Sequence, residues 1–144
     1  MISQKAKYAL KALLVLARAP KGTAVQIRDI AEAENIPRKF LEQIMLDLKH
    51  SGYLASRRGR SGGYELLKSA HAITYGEILR LIDGPIAPLP CLSRIAYRRC
   101  DDCPSEADCE VRQVFAGVAE ATREVLDRTT IADSLVPERE KTTL

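Results

Sequence analysis

The stretch PRKFLEQIMLDLKHSGYLASRRGRSGGYELL, residues 37–67, decides the fold, because its apolar period changes once along the way. Phe40, Leu41, Ile44, Met45 and Leu48 recur at helical spacing as far as His50, and Ser51-Gly52 stops the run. Pro37 suits the first helical position, where its missing N–H costs nothing. From residue 53 the pattern alternates. Residues 53–57 read as a strand, 58–63 as a flexible basic turn, and 64–67 as the returning strand.

Working outward, residues 3–19 place Ala6, Leu10, Leu13, Leu14 and Ala17 on one helical face, with Ser3 as N-cap. Pro20-Lys21-Gly22 ends that helix. A short helix over about 26–34 turns Ile27, Ile30 and Ala31 to the core, and Asn35-Ile36-Pro37 forms a turn. Beyond the hairpin, Thr74-x-x-Glu77 is a capping box opening a helix through Ile78, Leu79, Leu81 and Ile82, which Gly84-Pro85 breaks. A polar, proline-containing segment follows. A long helix is expected from about Ser105, with Val111, Val114, Phe115, Val118, Ala121, Val125 and Leu126 in coiled-coil-like steps. A last short helix is expected from Thr130, and the remaining residues read as a tail.

Helix, short helix, turn, helix, hairpin is the order of a winged helix-turn-helix. A helix that enters the major groove needs an apolar back and a polar front. Here Phe40, Leu41, Ile44 and Leu48 can form the back. Arg38, Lys39, Gln43 and Glu42 form the front, and Gln43 has the chemistry to read adenine bidentately. Lys49, Arg57, Arg58 and Arg60 suit phosphate or minor-groove contacts, and Arg28 adds a cation on the second helix. The competing reading is a merely solvated face of a small helical domain. Charge distribution favours DNA: residues 1–70 hold 13 Lys and Arg against 6 Asp and Glu (+7), and residues 71–144 hold 9 against 13 (−4). A nucleotide loop is disfavoured, because Gly59-x-x-Gly62-Gly63 leads into a strand and lacks the P-loop lysine.

The 144 residues suffice for one domain with a dimerisation arm. No apolar run approaches the roughly 18 residues of a membrane span, and the N-terminus lacks a signal-peptide pattern. The expectation is a cytoplasmic protein. An enzyme reading finds only His50 and His71, no HExxH, and no βαβ unit beside the Cys-x-x-Cys; no catalytic residue is assigned. A pure protein-interaction module using the long helix is the remaining alternative.

All four cysteines fall in one window, Cys91-x8-Cys100-x2-Cys103-x5-Cys109. Such crowding points to a metal or redox site, not to scattered structural cysteines. Clustered thiolates suit zinc or an iron–sulfur cluster, and a metal-free thiol switch is a third option. Arg94, Arg98 and Arg99 would favour thiolates, whereas Asp101, Asp102, Glu106 and Asp108 would oppose them.

The chain resembles the IscR/NsrR family of bacterial winged-helix transcription regulators over roughly residues 1–135. The matching residues are Lys7-Tyr8-Ala9, Ile30-Ala31, Phe40-Leu41-Glu42-Gln43, Arg58-Gly59-x-Ser61-Gly62-Gly63-Tyr64, Ile73-x-x-Gly76-Glu77-Ile78 and the cysteine window. The resemblance implies a homodimer joined by the long helix and a pseudo-palindromic operator. It also implies base contacts from Phe40 and Gln43 and a minor-groove contact from Arg58. For the cofactor it implies a cluster, most simply [2Fe-2S], on Cys91, Cys103 and Cys109, with Cys100 additional. In the IscR type a histidine three residues beyond the last cysteine completes the site; here that position is Arg112, which cannot ligate. The options are Cys100 as fourth ligand, three protein ligands alone, or a cluster of different nuclearity, with zinc the alternative metal.

The expected fold is mainly α with a small β-wing. Residues 1–84 form the winged domain, 85–109 a cysteine-rich sensor loop, 110–135 the dimerisation helix with a short terminal helix, and 136–144 a flexible tail. The expected function is a dimeric, sequence-specific DNA-binding regulator, a repressor, modulated by an iron–sulfur cluster.

Overall fold

A computed structural model describes residues 2–135; the expected tail lies outside the described residues. The described residues form five helices and one hairpin: α1 (Gln4–Arg18), α2 (Ile27–Glu34), α3 (Arg38–His50), β1 (Leu54–Arg57), β2 (Gly63–Leu66), α4 (Tyr75–Asp83) and α5 (Glu110–Arg128). Short 3-10 turns lie at Ala70–Ala72, Pro90–Leu92 and Ala132–Ser134.

The Ser3 hydroxyl caps α1 by accepting from the Ala6 N–H at 2.9 Å, satisfying one of the donors a helix start leaves unpaired. Ser3 also hydrogen-bonds Asp83, so the start of α1 is tied to the end of α4. Alanines 6, 9 and 12 are fully buried beside Leu10, Leu13 and Leu16, and their small side chains let α1 sit close to α3 and α4. Leu14 and Ala17, expected on that face, are only half-buried.

Asn35 ends α2 in the left-handed conformation (φ 52°), which Asn tolerates better than most residues. Pro37 occupies the N-cap position and not the first helical position: its carbonyl accepts from the Leu41 N–H at 3.0 Å. Leu41, Ile44, Met45 and Leu48 are fully buried. Phe40 is 37% exposed and departs from the expected apolar back face; at 100° per residue it lies at the margin of the Leu41/Ile44/Leu48 stripe. Leu81 of α4 is likewise exposed.

The hairpin pairs antiparallel, with Leu54 opposite Leu66 and Arg57 opposite Gly63. Val25 adds a bridge to Tyr64 through two 2.8 Å bonds, a pairing that alternation alone did not reveal. It explains Gly63: φ is +136°, and a Cβ there would lie 2.3 Å from the Val25 carbonyl oxygen.

The capping box on α4 is present, with Thr74 and Glu77 exchanging bonds. Past α5 the chain returns to the start of this helix. Thr130 bridges Thr74, the Ile131 N–H donates to Ile73 O at 2.9 Å, and Ile131 is fully buried. Arg80 grips Asp127 through two bonds of 2.6 and 3.0 Å. Gly76 permits this approach, since a Cβ there would stand 2.1 Å from Asp127 Oδ1.

α5 begins at Glu110, five residues later than expected. The Ser105 hydroxyl accepts from the Asp108 N–H, holding a turn, and Cys109 becomes the N-cap with its Sγ accepting from the Arg112 N–H at 3.4 Å. α5 turns Ala119, Arg123 and Leu126 toward the rest of the protein. Val111, Val114, Val118 and Val125 are 48–68% exposed along it.

Candidate nucleic-acid interface and cysteine cavity

The polar front of α3 lies open: Arg38, Lys39, Glu42, Gln43 and Lys49 are exposed. Three of these side chains are nevertheless committed. Arg38 Nε lies 3.5 Å from Glu42. Gln43 Nε2 donates to Asp47 Oδ1 at 3.0 Å, and the other oxygen of Asp47 pairs with Lys5 Nζ of α1 at 2.7 Å. The Lys5 ammonium, with Gln43 adding to its effect, holds the Asp47 carboxyl below the ordinary carboxylate range. Phe40 meets Tyr8 edge-on, ring centroids 5.6 Å apart at 75°, a favoured aromatic geometry. Lys39 and Lys49 have no ion-pair partner among the described residues.

The wing places its cations differently. Arg57 acts as an internal strut, with Nε donating to Glu65 at 3.0 Å and Nη1 to the Gly22 carbonyl at 3.0 Å. Arg58 and Arg60 are exposed at the turn and have no ion-pair partner among the described residues. Gln26 steadies the turn by donating to the Arg60 carbonyl. Arg28 lies exposed, 3.7 Å from Asp29. The sequence reading missed Lys5, Asp47, Tyr8 and Gln26. The Gln43/Asp47 spacing of four was the available signal, since i and i+4 side chains meet on a helix.

All four cysteines border one cavity of about 440 Å³, together with Leu89, Asp102 and Arg112. Cys91 is buried, and Cys100, Cys103 and Cys109 are half-buried free thiols. Among the described residues no three His, Cys, Asp or Glu side chains converge closely enough to hold a metal ion. Burial, then the neighbouring Cys91, Asp102 and Cys103, pushes the Cys100 thiol up. For Cys100 the opposing action expected of Asp102 is the one seen, after burial and Cys91. Arg94 is spent on Glu120 at 2.9 Å, and Arg99 on the Cys103 and Pro104 carbonyls at 3.0 Å.

Arg112 also borders the cavity. Its Nε is buried without a hydrogen-bond partner among the described residues, with Glu106 at 4.0 Å. A buried unpaired donor is costly. Four thiols around one cavity are a donor set for a soft metal. The residues present therefore have the chemistry of a thiolate-held group, while the described side chains do not converge on one point.

The loop is fastened to α5. Arg123, 9% exposed, donates to the Leu92 carbonyl at 2.5 Å, next to Cys91.

A winged helix-turn-helix with an open recognition face defines a DNA-binding regulator. The chain belongs to the Rrf2 family, whose profile, described as iron-dependent transcriptional regulator, matches residues 2–137. An Rrf2-like HTH-type transcriptional regulator of Rhodobacter capsulatus is 53% identical over 138 residues, covering 94% of this chain and 92% of that one. Among solved structures, CymR, the global cysteine regulator of B. subtilis, superposes with a TM-score of 0.77 at 32% identity, covering 92% of this chain and 94% of that one. IscR of T. potens gives 0.76 at 26% identity, covering 100% and 93%. The protein is thus a transcriptional regulator, not an enzyme. No helix among the described residues is long and apolar enough to cross a membrane.

Proposed function

We propose that the protein is a homodimeric, sequence-specific repressor whose operator affinity is set by an iron–sulfur cluster on the cysteine loop. The observation that carries this reading is the gathering of all four cysteines around one cavity, on a loop that Arg123 ties to α5 through the Leu92 carbonyl. Residues 1–84 bind DNA in this reading, 85–109 sense, and 110–135 dimerise. A protein acting on bacterial operators works in the cytoplasm.

Lys39, Phe40 and Gln43 face the major groove of a pseudo-palindromic operator, with Arg38 at its edge. Lys49 and Arg28 neutralise phosphates, and Arg58 and Arg60 reach the minor groove, with Arg57 bracing the wing. The bare valines of α5 pack against a second copy across a two-fold axis. Cys91, Cys103 and Cys109 hold the cluster, with Cys100 as fourth ligand in place of the histidine that the IscR type has at the position of Arg112. The bound cluster supplies a charge and a set of bonds that respond to oxidants and to iron supply. Arg112, which borders the cavity, would add a positive charge beside the bound group, and Arg123 transmits the loop's position to α5.

A second reading has the same thiols hold zinc or act as a metal-free redox switch. The likeness to CymR, described as a cysteine regulator and solved from Staphylococcus aureus also in an oxidized form (TM-score 0.72, 28% identity), favours it. Anaerobic purification with an absorption spectrum and iron, sulfide and zinc analysis separates the readings. The cluster reading predicts a coloured protein with iron and sulfide. A colourless protein carrying zinc, or no metal, contradicts it.

A further inference from the structure

We infer that Asp47 is a specificity-determining residue that fixes which face of the Gln43 amide is offered to a base, and that Lys5 holds Asp47 in that role. The inference rests on Gln43 reading a base, as proposed above, and adds what that residue selects.

The argument is one of donor and acceptor accounting. A glutamine side chain carries one carbonyl acceptor and two N–H donors. An ionised carboxylate only accepts, so the Gln43 group facing Asp47 Oδ1 at 3.0 Å must be the NH2. One N–H is thereby taken, and the amide cannot turn over without setting its carbonyl against the carboxylate. The carbonyl and the second N–H remain for a ligand.

That remaining pair matches adenine, whose major-groove edge offers the N6 amino donor and the N7 acceptor. It mismatches guanine, whose O6 and N7 both accept. An unrestrained glutamine can give both hydrogens to guanine, but one whose amide is held by Asp47 cannot.

Lys5 keeps the arrangement in place. Its ammonium pairs with Asp47 Oδ2 at 2.7 Å, leaving Oδ1 for Gln43. It also keeps Asp47 ionised, consistent with the lowered carboxyl pKa. The restraint thus runs from α1, outside the recognition helix, to the side chain that meets the base.

The test compares the full-length parent with Gln43→Ala, Asp47→Asn and Lys5→Ala by selection from a randomised operator library, followed by titration of paired operators. The position at which Gln43→Ala erases the preference is the one Gln43 reads. There the parent is expected to favour adenine over guanine, and Asp47→Asn to lower that ratio about fivefold or more. Lys5→Ala lowers it in the same direction. A merely structural role for Asp47 would weaken binding to both operators alike, and simple removal of a negative charge near phosphates would strengthen both alike; either leaves the ratio unmoved. If Gln43→Ala erases a preference while Asp47→Asn keeps the full ratio, the inference is wrong and the base-reading role of Gln43 stands. If Gln43→Ala changes no position, Gln43 reads no base, and the inference falls with the reading beneath it.

Discussion

Arg123 of α5 donates through Nη2 to the main-chain carbonyl of Leu92, at 2.5 Å. The guanidinium is nearly buried and lies 3.7 Å from Glu120, which also holds Arg94 from the cysteine loop. One side chain and one carboxylate on α5 therefore fasten the cysteine loop beside Cys91. Arg123→Ala leaves the Leu92 carbonyl without its partner and is expected to cost about 1–3 kcal/mol. Urea unfolding measures this. A midpoint equal to the parent's would show that the bond carries nothing.

The wing and the recognition helix separate by salt dependence. Arg58→Ala is expected to weaken specific operator binding by about 1–3 kcal/mol. Lys49→Ala is expected to weaken binding to all sequences alike and to reduce the salt slope by about 1. Titrations at several salt concentrations on operator and unrelated DNA distinguish the two. Parent-like operator affinity in Arg58→Ala at moderate salt would remove the wing from the interface.

The exposed stripe on α5 predicts assembly. Val114 is 68% exposed and Val118 48% exposed, too much apolar surface for the winged domain to cover. The parent is expected to be a dimer at micromolar concentration in solution scattering, and Val118→Glu a monomer, because the charge would be buried unpaired in the seam. A monomeric parent would refute the interface.

Acid stability tests the contact between α4 and α5. The Arg80 guanidinium holds the Asp127 carboxyl below its ordinary value of 3.8. A depressed folded value adds stability above the unfolded pKa, and that stability is lost as pH falls through the folded value. The parent is therefore expected to lose more stability than Asp127→Asn between about pH 5 and pH 2. The effect is modest, because both side chains are about a third exposed. Parallel unfolding curves for the two proteins across that range would contradict the assignment.

Much of this was legible in the residues. The helical run into Leu48, the switch to alternation at Tyr53 and the Thr74–Glu77 box are local patterns, and local patterns survive folding. What the sequence hid depends on partners far along the chain. Phe40 lies at the edge of its helix's apolar stripe, and only the arrival of Tyr8 determines how its ring packs. The pairing of Val25 with Tyr64 is an edge contact with no period of its own. The start of α5 shifted to Glu110 because Ser105 and Cys109 compete for backbone N–H groups as turn and cap residues. At the candidate site, the cysteine window and the basic turn were visible as composition. The commitment of Arg57 to Glu65 and of Arg123 to Leu92 was not, because each is fixed by side-chain geometry, whereas that of Gln43 to Asp47 had a signal in their spacing of four.

The cysteines differ in what their loss predicts. Cys→Ala at 91, 103 or 109 is expected to abolish the visible chromophore of anaerobically purified protein. At Cys100 the same change decides the fourth ligand: lost colour makes it a ligand, and retained colour assigns that place to another group. Colour that survives at each of the other three would contradict the ligand set.

Sensing itself is tested most directly by operator affinity of cluster-loaded and cluster-free protein, measured on the same DNA at the same salt. A ligand shifts an equilibrium only by its differential affinity for the two states, so the account predicts a change of about 5–150-fold between the two forms. Equal affinities would contradict it, even if the cluster itself proved real.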